Sequence, residues 1–305
     1  MTRTSERRVV TQSHFARQKR INSKMRPILE NGQTTELRFM TWNVLAQSRT
    51  ADSFPLAPLE SLEASSRGER LLLEILRHEP DVLCLQEVDA SGSLSQSYFQ
   101  EWLGRSGYVL AASAMKSRGS DGCCIFIRRH LKDSVRSFNS ACLAGTKQVG
   151  VVLHLQDDNG LDIVVGTTHL KAKPGFEAVR ERQARHLREF MVQSAPQPAA
   201  LVLCGDFNAE RKEPAMEQME LGGWKSAYEE CCDTEPYSTW KIRKTGEVKR
   251  CIDYVWLMSV DQKRVWVNSC LLPPSEDQVQ SERFPSWQFP SDHINLVVDL
   301  SFYTL

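Results

Sequence analysis

The stretch Ala200-Leu201-Val202-Leu203-Cys204-Gly205-Asp206-Phe207-Asn208 decides how this chain is read. Its apolar run is short for a helix and reads as a buried strand. The run ends abruptly on a glycine and two hard polar side chains. The same ending recurs along the chain. Asn43 follows Phe39-Met40-Thr41-Trp42, Glu87 follows Val82-Leu83-Cys84-Leu85-Gln86, and His169 follows Val164-Val165-Gly166-Thr167-Thr168. Two segments carry it in reverse. Asp253 precedes Tyr254-Val255-Trp256-Leu257, and Asp292-His293 precede Ile294-Asn295-Leu296-Val297-Val298.

A carboxylate at the mouth of a buried strand loses hydration unless it is paired or ligates a metal. A single such residue is ordinarily a cap or a satisfied buried group. Asn43, Glu87, His169, Asp206, Asn208, Asp253, Asp292 and His293 together are a different matter, because all are hard oxygen donors or imidazoles. They are expected to converge at one end of the sheets as a catalytic site. Their ligand types favour Mg2+, with Mn2+ as the alternative, over zinc. Two histidines add a base or a donor near neutral pH, and Asp253 is placed to orient His293. His154 and His186 lack such company and read as structural.

Outward from these motifs, candidate strands cover Leu37–Leu45, Asp81–Val88, Tyr108–Ser113, Cys123–Arg128, Val149–Leu155, Asp162–His169, Ala200–Gly205, Cys251–Leu257, Trp266–Leu271 and His293–Leu300. Candidate helices are Ser66–His78, Leu94–Gly104, Phe176–Val192 and Pro214–Leu221. Asp157-Asp158-Asn159-Gly160 reads as a hairpin turn. Many strands and few helices, with no linker between residues 35 and 305, predict one α/β catalytic domain of two packed sheets with helices outside.

Composition narrows the partners. The 305 residues carry zero net formal charge, but residues 1–26 hold eight Lys/Arg and one acid. Removing these from the 38 residues of each sign leaves 30 basic and 37 acidic residues. A mildly acidic body argues against tracking a long phosphate backbone. Residues 1–34 read as a basic disordered arm, with a mitochondrial transit peptide as the alternative to a cytoplasmic chain. No run approaches the length of a membrane span. The nine cysteines include no CxxC pair, and several lie in apolar runs. They read as buried free thiols of a reducing compartment, not as a zinc site. Lys171 and Lys173, then Lys241, Arg243 and Lys244, flank the proposed catalytic residues and could form an anion-binding rim. Trp42 or Trp240 could stack a nucleobase.

The motifs resemble the endonuclease/exonuclease/phosphatase family. The resemblance is carried by Thr41-Trp42-Asn43-Val44-Leu45, Gln86-Glu87-Val88, Thr168-His169-Leu170, Gly205-Asp206-Phe207-Asn208, Ile252-Asp253-Tyr254 and Ser291-Asp292-His293. It implies a four-layer α/β sandwich, with two mixed β-sheets flanked by helices. Five longer stretches, Asp81–Asp89, His169–Lys173, Cys204–Glu210, Thr239–Gly246 and Phe289–His293, are similar to a deadenylase-related branch of that family. That similarity implies a phosphatase removing the 2′-phosphate of NADP+ and NADPH, with 3′-exoribonuclease action on poly(A) as the alternative. It implies Glu87 as the principal Mg2+ ligand with Asn43 near the metal, and Asp206 and Asn208 positioning the attacking water or stabilising the transition state. His169 would hold phosphoryl oxygens, His293, supported by Asp253, would act as base or phosphate donor, and Asp292 would lie beside the metal. Lys116, Lys171, Lys173 and Arg243 would contact the dinucleotide phosphates.

Overall fold

The structure is a computed structural model that describes residues 17–24, 34–51, 53–117, 121–196, 199–259 and 263–304. Its strands are β1 (Lys19–Ile21), β2 (Thr34–Asn43), β3 (Val82–Asp89), β4 (Tyr108–Met115), β5 (Asp121–Arg128), β6 (Val135–Cys142), β7 (Val149–Gln156), β8 (Asp162–His169), β9 (Ala200–Asp206), β10 (Lys225–Ser226), β11 (Thr239–Arg243), β12 (Gly246–Arg250), β13 (Asp253–Ser259), β14 (Lys263–Leu271) and β15 (Leu296–Thr304). The helices are α1 (Leu59–Leu62), α2 (Ala64–His78), α3 (Gln96–Arg105), α4 (Glu177–Ser194), α5 (Pro214–Leu221) and α6 (Ala227–Cys232).

Two mixed sheets form, in the orders β1-β14-β15-β2-β3-β5-β4 and β10-β13-β9-β8-β7-β6. The side-chain alternation of strands divides their residues between layers. On β9, Val202 and Cys204 face the core between the sheets, where they meet Val165, Cys84, Ile125 and Val298. Leu201 and Leu203 point the other way, onto Leu187 and Met191 of α4 and Met216 of α5. Leu71 and Ile75 of α2 and Phe99 and Leu103 of α3 cover the outer face of the first sheet, against Met40, Leu83 and Phe126. The layers run helix, sheet, sheet, helix, which is the expected four-layer α/β sandwich. Within the helices the apolar positions recur at helical spacing, as in Ala184, Leu187 and Met191. Helix α2 ends at Glu79 in the left-handed conformation, one residue before Pro80.

The topology gathers the polar strand ends. β2 runs parallel to β3, and β8 runs parallel to β9, so Asn43, Glu87, His169 and Asp206 all lie at carboxyl ends. β13 and β15 run antiparallel to β9 and β2, so the residues that start them reach the same end. The Asp157–Gly160 turn joins antiparallel β7 and β8, as its sequence predicts, with Gly160 at positive φ.

Several elements differ from the sequence reading. β6 is an edge strand with most of its residues exposed, so it lacks the apolar run that marks a strand. The Trp240–Arg243 stretch forms a hairpin with β12 across a two-residue loop. Residues 17–24 correct the expectation of a disordered arm through residue 34. β1 pairs with β14, and Arg17 donates hydrogen bonds to the Leu272 carbonyl at 2.8 Å and the Asn295 side chain at 2.6 Å. Backbone pairing and one satisfied guanidinium hold this segment, and neither leaves an apolar signature. The rest of the arm lies outside the described residues. Among those described, no helix is long and apolar enough to cross a membrane.

Candidate active site

The strand registers fix the centre of the site. His169 lies opposite Asp206 between β8 and β9, and Asp206 lies opposite Asp253 between β9 and β13. The approach of β9 to β8 at this point is close enough that a Cβ on Gly205, whose φ is +147°, would run into the Thr168 carbonyl. Glu87 occupies the register shift between Gln86 and Val88, with a φ of +57°. This bulge re-aims its side chain out of the ladder.

Asp206 is the hub. Its carboxylate accepts from the Asn43 side chain at 2.9 Å and from the Asn208 backbone at 2.8 Å. Burial first, and then the neighbouring Asp253, push its carboxyl up to about 7, against the opposing pull of His293 and these two donors. Asn208 sits at positive φ and donates its side-chain N–H to the Leu170 carbonyl at 3.2 Å. The Asn43 oxygen accepts from Leu45 N–H at 3.0 Å, so Asn43 orients Asp206.

His293 Nδ1 lies 2.7 Å from Asp253 Oδ2, and its Nε2 faces Asp206 and Asp292 at 3.9 and 4.0 Å. Burial alone lowers an imidazole pKa, but Asp253 and Asp292 outweigh it and raise His293 to about 9. His293 is therefore an imidazolium at neutral pH. Ser238 completes the assembly by donating to Asp253 at 2.6 Å while its Oγ accepts from the N–H groups of Ile252 and Asp253.

The opposite wall is built differently. His169 Nδ1 lies 3.3 Å from Lys116 Nζ, and its Nε2 lies 3.7 Å from Asp206. Burial, Lys116, Arg49 and His293 all lower its pKa, so it is a neutral imidazole. An ammonium can only donate, so Nδ1 accepts and Nε2 carries the ring proton. Lys116 also bonds Asp121, which pairs with Arg49, and Arg49 lies 3.3 Å from Glu87. The Ala46 N–H donates to the same Glu87 oxygen.

Asp292 receives Lys241 at 2.7 Å and Arg243 at 3.0 Å. Burial pushes its carboxyl up, but Lys241, His293 and Arg243 outweigh that and hold it well below the usual range. The Arg243 guanidinium also packs on the Phe54 ring at 4.0 Å. Lys241 and Arg243 share a face because they stand two apart on β11.

The structure thus brings together all eight expected catalytic residues with Lys116 and Arg243. Lys171 and Lys173 stand apart from this network. Lys171 places its ammonium over the Phe176 ring at 4.4 Å, and Lys173 is exposed at positive φ. Sequence reading missed Arg49, Asp121 and Ser238, none of which ends an apolar run. It also missed Arg67, a buried guanidinium on α2. Arg67 donates to the carbonyls of Val44, Leu45 and Pro290, tying together the loops that follow Asn43 and precede Asp292. Neither tryptophan offers a free ring. Trp42 is buried and donates to the His293 carbonyl, and Trp240 lies between Lys249 and Arg283, at 4.2 and 4.3 Å. His154 pairs with Asp162 and His186 accepts from Ala144 N–H, both structural roles.

The donors fit a hard cation. Asp206, Asp253 and His293 offer ligand atoms within 4.8 Å of one another, and Glu87 adds a carboxylate. The upward push on Asp206 marks an excess of buried negative charge that a cation relieves. His293 is committed to Asp253 as an imidazolium, so the carboxylates are the ligands of choice.

Fold and site define a metal-assisted phosphoester hydrolase. The Endonuclease/Exonuclease/phosphatase family model matches residues 40–293, and the chain belongs to this family. It is similar to nocturnin of Xenopus laevis, with 36% identity over 97% of this chain and 80% of that protein. It is 34% identical to nocturnin of Homo sapiens over 87% of this chain and 65% of that protein. The human nocturnin catalytic domain, solved with a bound sulfate anion, superposes with a TM-score of 0.68 at 29% identity, covering 89% of this chain and 97% of that one. More distantly, the chain is 24% identical to the CCR4-Not complex 3′-5′-exoribonuclease subunit Ccr4 of Emericella nidulans, over 86% of this chain and 51% of that protein.

Proposed function

We propose that this chain is a Mg2+-dependent phosphatase that removes the 2′-phosphate of NADP+ and NADPH, releasing NAD+ and NADH. The observation that carries this reading is the set of cations around the acidic hub. Arg49, Lys116, Lys241 and Arg243 are each tied to a carboxylate of one compact site. Positive groups converging on one point suit a terminal phosphate better than a strand threaded along a groove. The engagement of Trp42 and Trp240 in protein contacts supports the same choice, because a strand-tracking nuclease needs stacking platforms. The sulfate held by the human nocturnin catalytic domain is a tetrahedral dianion of the same shape as a phosphate group.

Glu87, with the carboxylate of Asp206 on the other side of the His169 ring, would hold the metal, which neutralises phosphoryl charge when bound. Asp206, fixed by Asn43 and Asn208, positions the attacking water. His169 offers an Nε2–H to a phosphoryl oxygen from a neutral ring. His293, held protonated by Asp253, offers the charged donor from the other side. Arg243 and Lys241 hold the approach to Asp292, and Lys171 and Lys173 would contact the rest of the dinucleotide.

The second reading, a 3′-exoribonuclease acting on poly(A), is favoured by the likeness to Ccr4 and uses the same chemistry. One comparison separates the two. Purified chain with Mg2+ receives NADPH in one reaction and a poly(A) oligomer in another, with Glu87→Ala as control. Phosphate release from NADPH alone, lost by ~100-fold or more in the variant, is the expected result. Shortening of the RNA by the wild type without NADPH hydrolysis overturns the proposal.

A further inference from the structure

Apart from the polar strand ends, the fold assembles a second cluster of side chains that could bind a metal. Cys231 and Cys232 end helix α6, and Cys270 lies on β14. Their three Sγ atoms lie within 4.8 Å of one another. No spacing rule finds this trio, since two of its members are adjacent and the third comes from another element of the chain. The cluster lies at the seam of the two sheets. Helix α6 follows β10 of one sheet and packs on β14 of the other, and Cys231 and Cys270 belong to the core between them.

We propose that Cys231, Cys232 and Cys270 form a structural three-thiolate site for a soft d10 metal ion of the Cu(I) and Zn2+ class. Thiolate sulfurs select such ions over the hard cation that suits the active site. Metal–sulfur bonds of ~2.3 Å span a trio of this size after a small contraction. Among the described residues no histidine or carboxylate joins the three sulfurs. An ion that accepts three ligands fits as it stands, and one that needs four takes its last ligand from solvent. A route for both ion and solvent exists, because half-buried Cys232 lines a cavity of about 550 Å³ between α6 and the loop after β14. Half-buried Glu235 lines the same cavity.

In the metal-free fold, backbone carbonyls accept from two of the thiols. The chain opposite is β1, whose Arg20 carbonyl accepts from Cys231 Sγ at 3.5 Å. Cys270 Sγ faces the Ala227 carbonyl at 3.7 Å. On binding, each thiol releases its proton to solvent, and α6 becomes tied to β14 through metal–sulfur bonds. The consequence is a clamp across the sheet seam, independent of the hydrolase chemistry.

The test uses the full chain, purified under anaerobic conditions with all nine thiols reduced. Cd2+ is titrated as a spectroscopic probe of thiolate ligation, and Cu(I) and Zn2+ are titrated against competing chelators. One equivalent of ion is expected, with a thiolate-to-metal charge-transfer band for Cd2+ and a raised melting temperature. Cys270→Ser abolishes the band. Cys232→Ser, at a half-exposed helix end where folding is safe, weakens binding by at least ~10-fold, the least that losing a partner of a metal site costs. Exposed Cys142→Ser changes nothing. An absent band, or binding retained in Cys232→Ser, would overturn the site.

Discussion

His169 and His293 face each other across one site, both almost fully buried, and their rings are driven in opposite directions. His169 is pushed well below the usual imidazole value and His293 is raised to about 9. Burial acts on both in the same sense, so burial does not explain the difference. The neighbours do. His169 has Lys116 at its Nδ1 and Arg49 nearby, whereas His293 has Asp253 at its Nδ1 and Asp292 beside its Nε2. The pair shows how a symmetrical polar motif becomes two functions. One ring is a neutral donor, the other a charged one, and the choice is written in the residue behind each ring.

The largest expected effect comes from erasing that difference at His293. Asp253→Asn leaves the hydrogen bond but removes the charge that keeps the ring protonated. kcat is expected to fall by ~10²–10⁴, the range of a lost acid–base or donor group. NMR titration of the ring should show its pKa dropping toward that of His169. Unchanged activity with a lowered ring pKa would show that His293 does not need its charge. The reverse experiment, Lys116→Met, strips the cation from His169. Its pKa should rise, and activity should fall by roughly 100-fold, the loss typical of one misplaced donor at a developing oxyanion. If the His169 pKa does not move, Lys116 is not what holds it neutral.

How much of this contrast was legible beforehand follows from where each residue lies. Both histidines and all the acids stand at the ends of apolar runs, and an apolar run bounded by a polar residue survives in sequence. Their partners do not. Lys116 was singled out by resemblance, but Arg49 and Asp121 belong to loops and a strand start that pattern reading treats as surface. Ser238 lies in a polar stretch with nothing to mark it. The same logic governs the fold. The buried strands and the four longer helices were visible as apolar periodicity, while β6 was hidden because it is exposed and β1 because backbone pairing and polar side chains hold it. The thiol trio was invisible for a third reason, that only the packing of α6 on β14 brings Cys270 to its neighbours.

A pH series sharpens the comparison without mutation. The folded pKa of His293 lies above its unfolded value of ~6.5, so its contribution to stability is complete below that value. That contribution is lost as pH rises through about 9. Asp206, raised to about 7, works in the same direction, because its folded form holds a proton that the unfolded chain has already released. The metal-free chain should therefore be most stable in mild acid and lose several degrees of melting temperature between pH 6 and 9, on the order of a few kcal/mol. His169, neutral when folded, works weakly the other way, because only the unfolded chain takes up its proton as pH falls toward ~6.5. A His293→Gln variant should flatten the alkaline limb, and Mg2+ should restore stability there. A profile that stays flat in the wild type would mean that His293 is not held charged.

The smallest effect tests the support behind one ring rather than the ring itself. Ser238 Oγ donates to Asp253 and accepts from two backbone N–H groups, so it fixes the carboxylate that fixes His293. Ser238→Ala leaves those N–H groups buried without an acceptor, which costs about 1–3 kcal/mol of stability. Asp253 keeps its charge and its contact with His293, so the ring stays protonated. The activity loss should stay within ~10-fold at saturating substrate, well short of Asp253→Asn, because charge at the ring outweighs one neutral hydrogen bond to its partner. Thermal denaturation and kcat measured on the same preparation check both halves. Ser238→Thr, which keeps the hydroxyl, should recover most of the stability. A Ser238→Ala enzyme as inactive as Asp253→Asn would show that position, and not charge, is what separates His293 from His169.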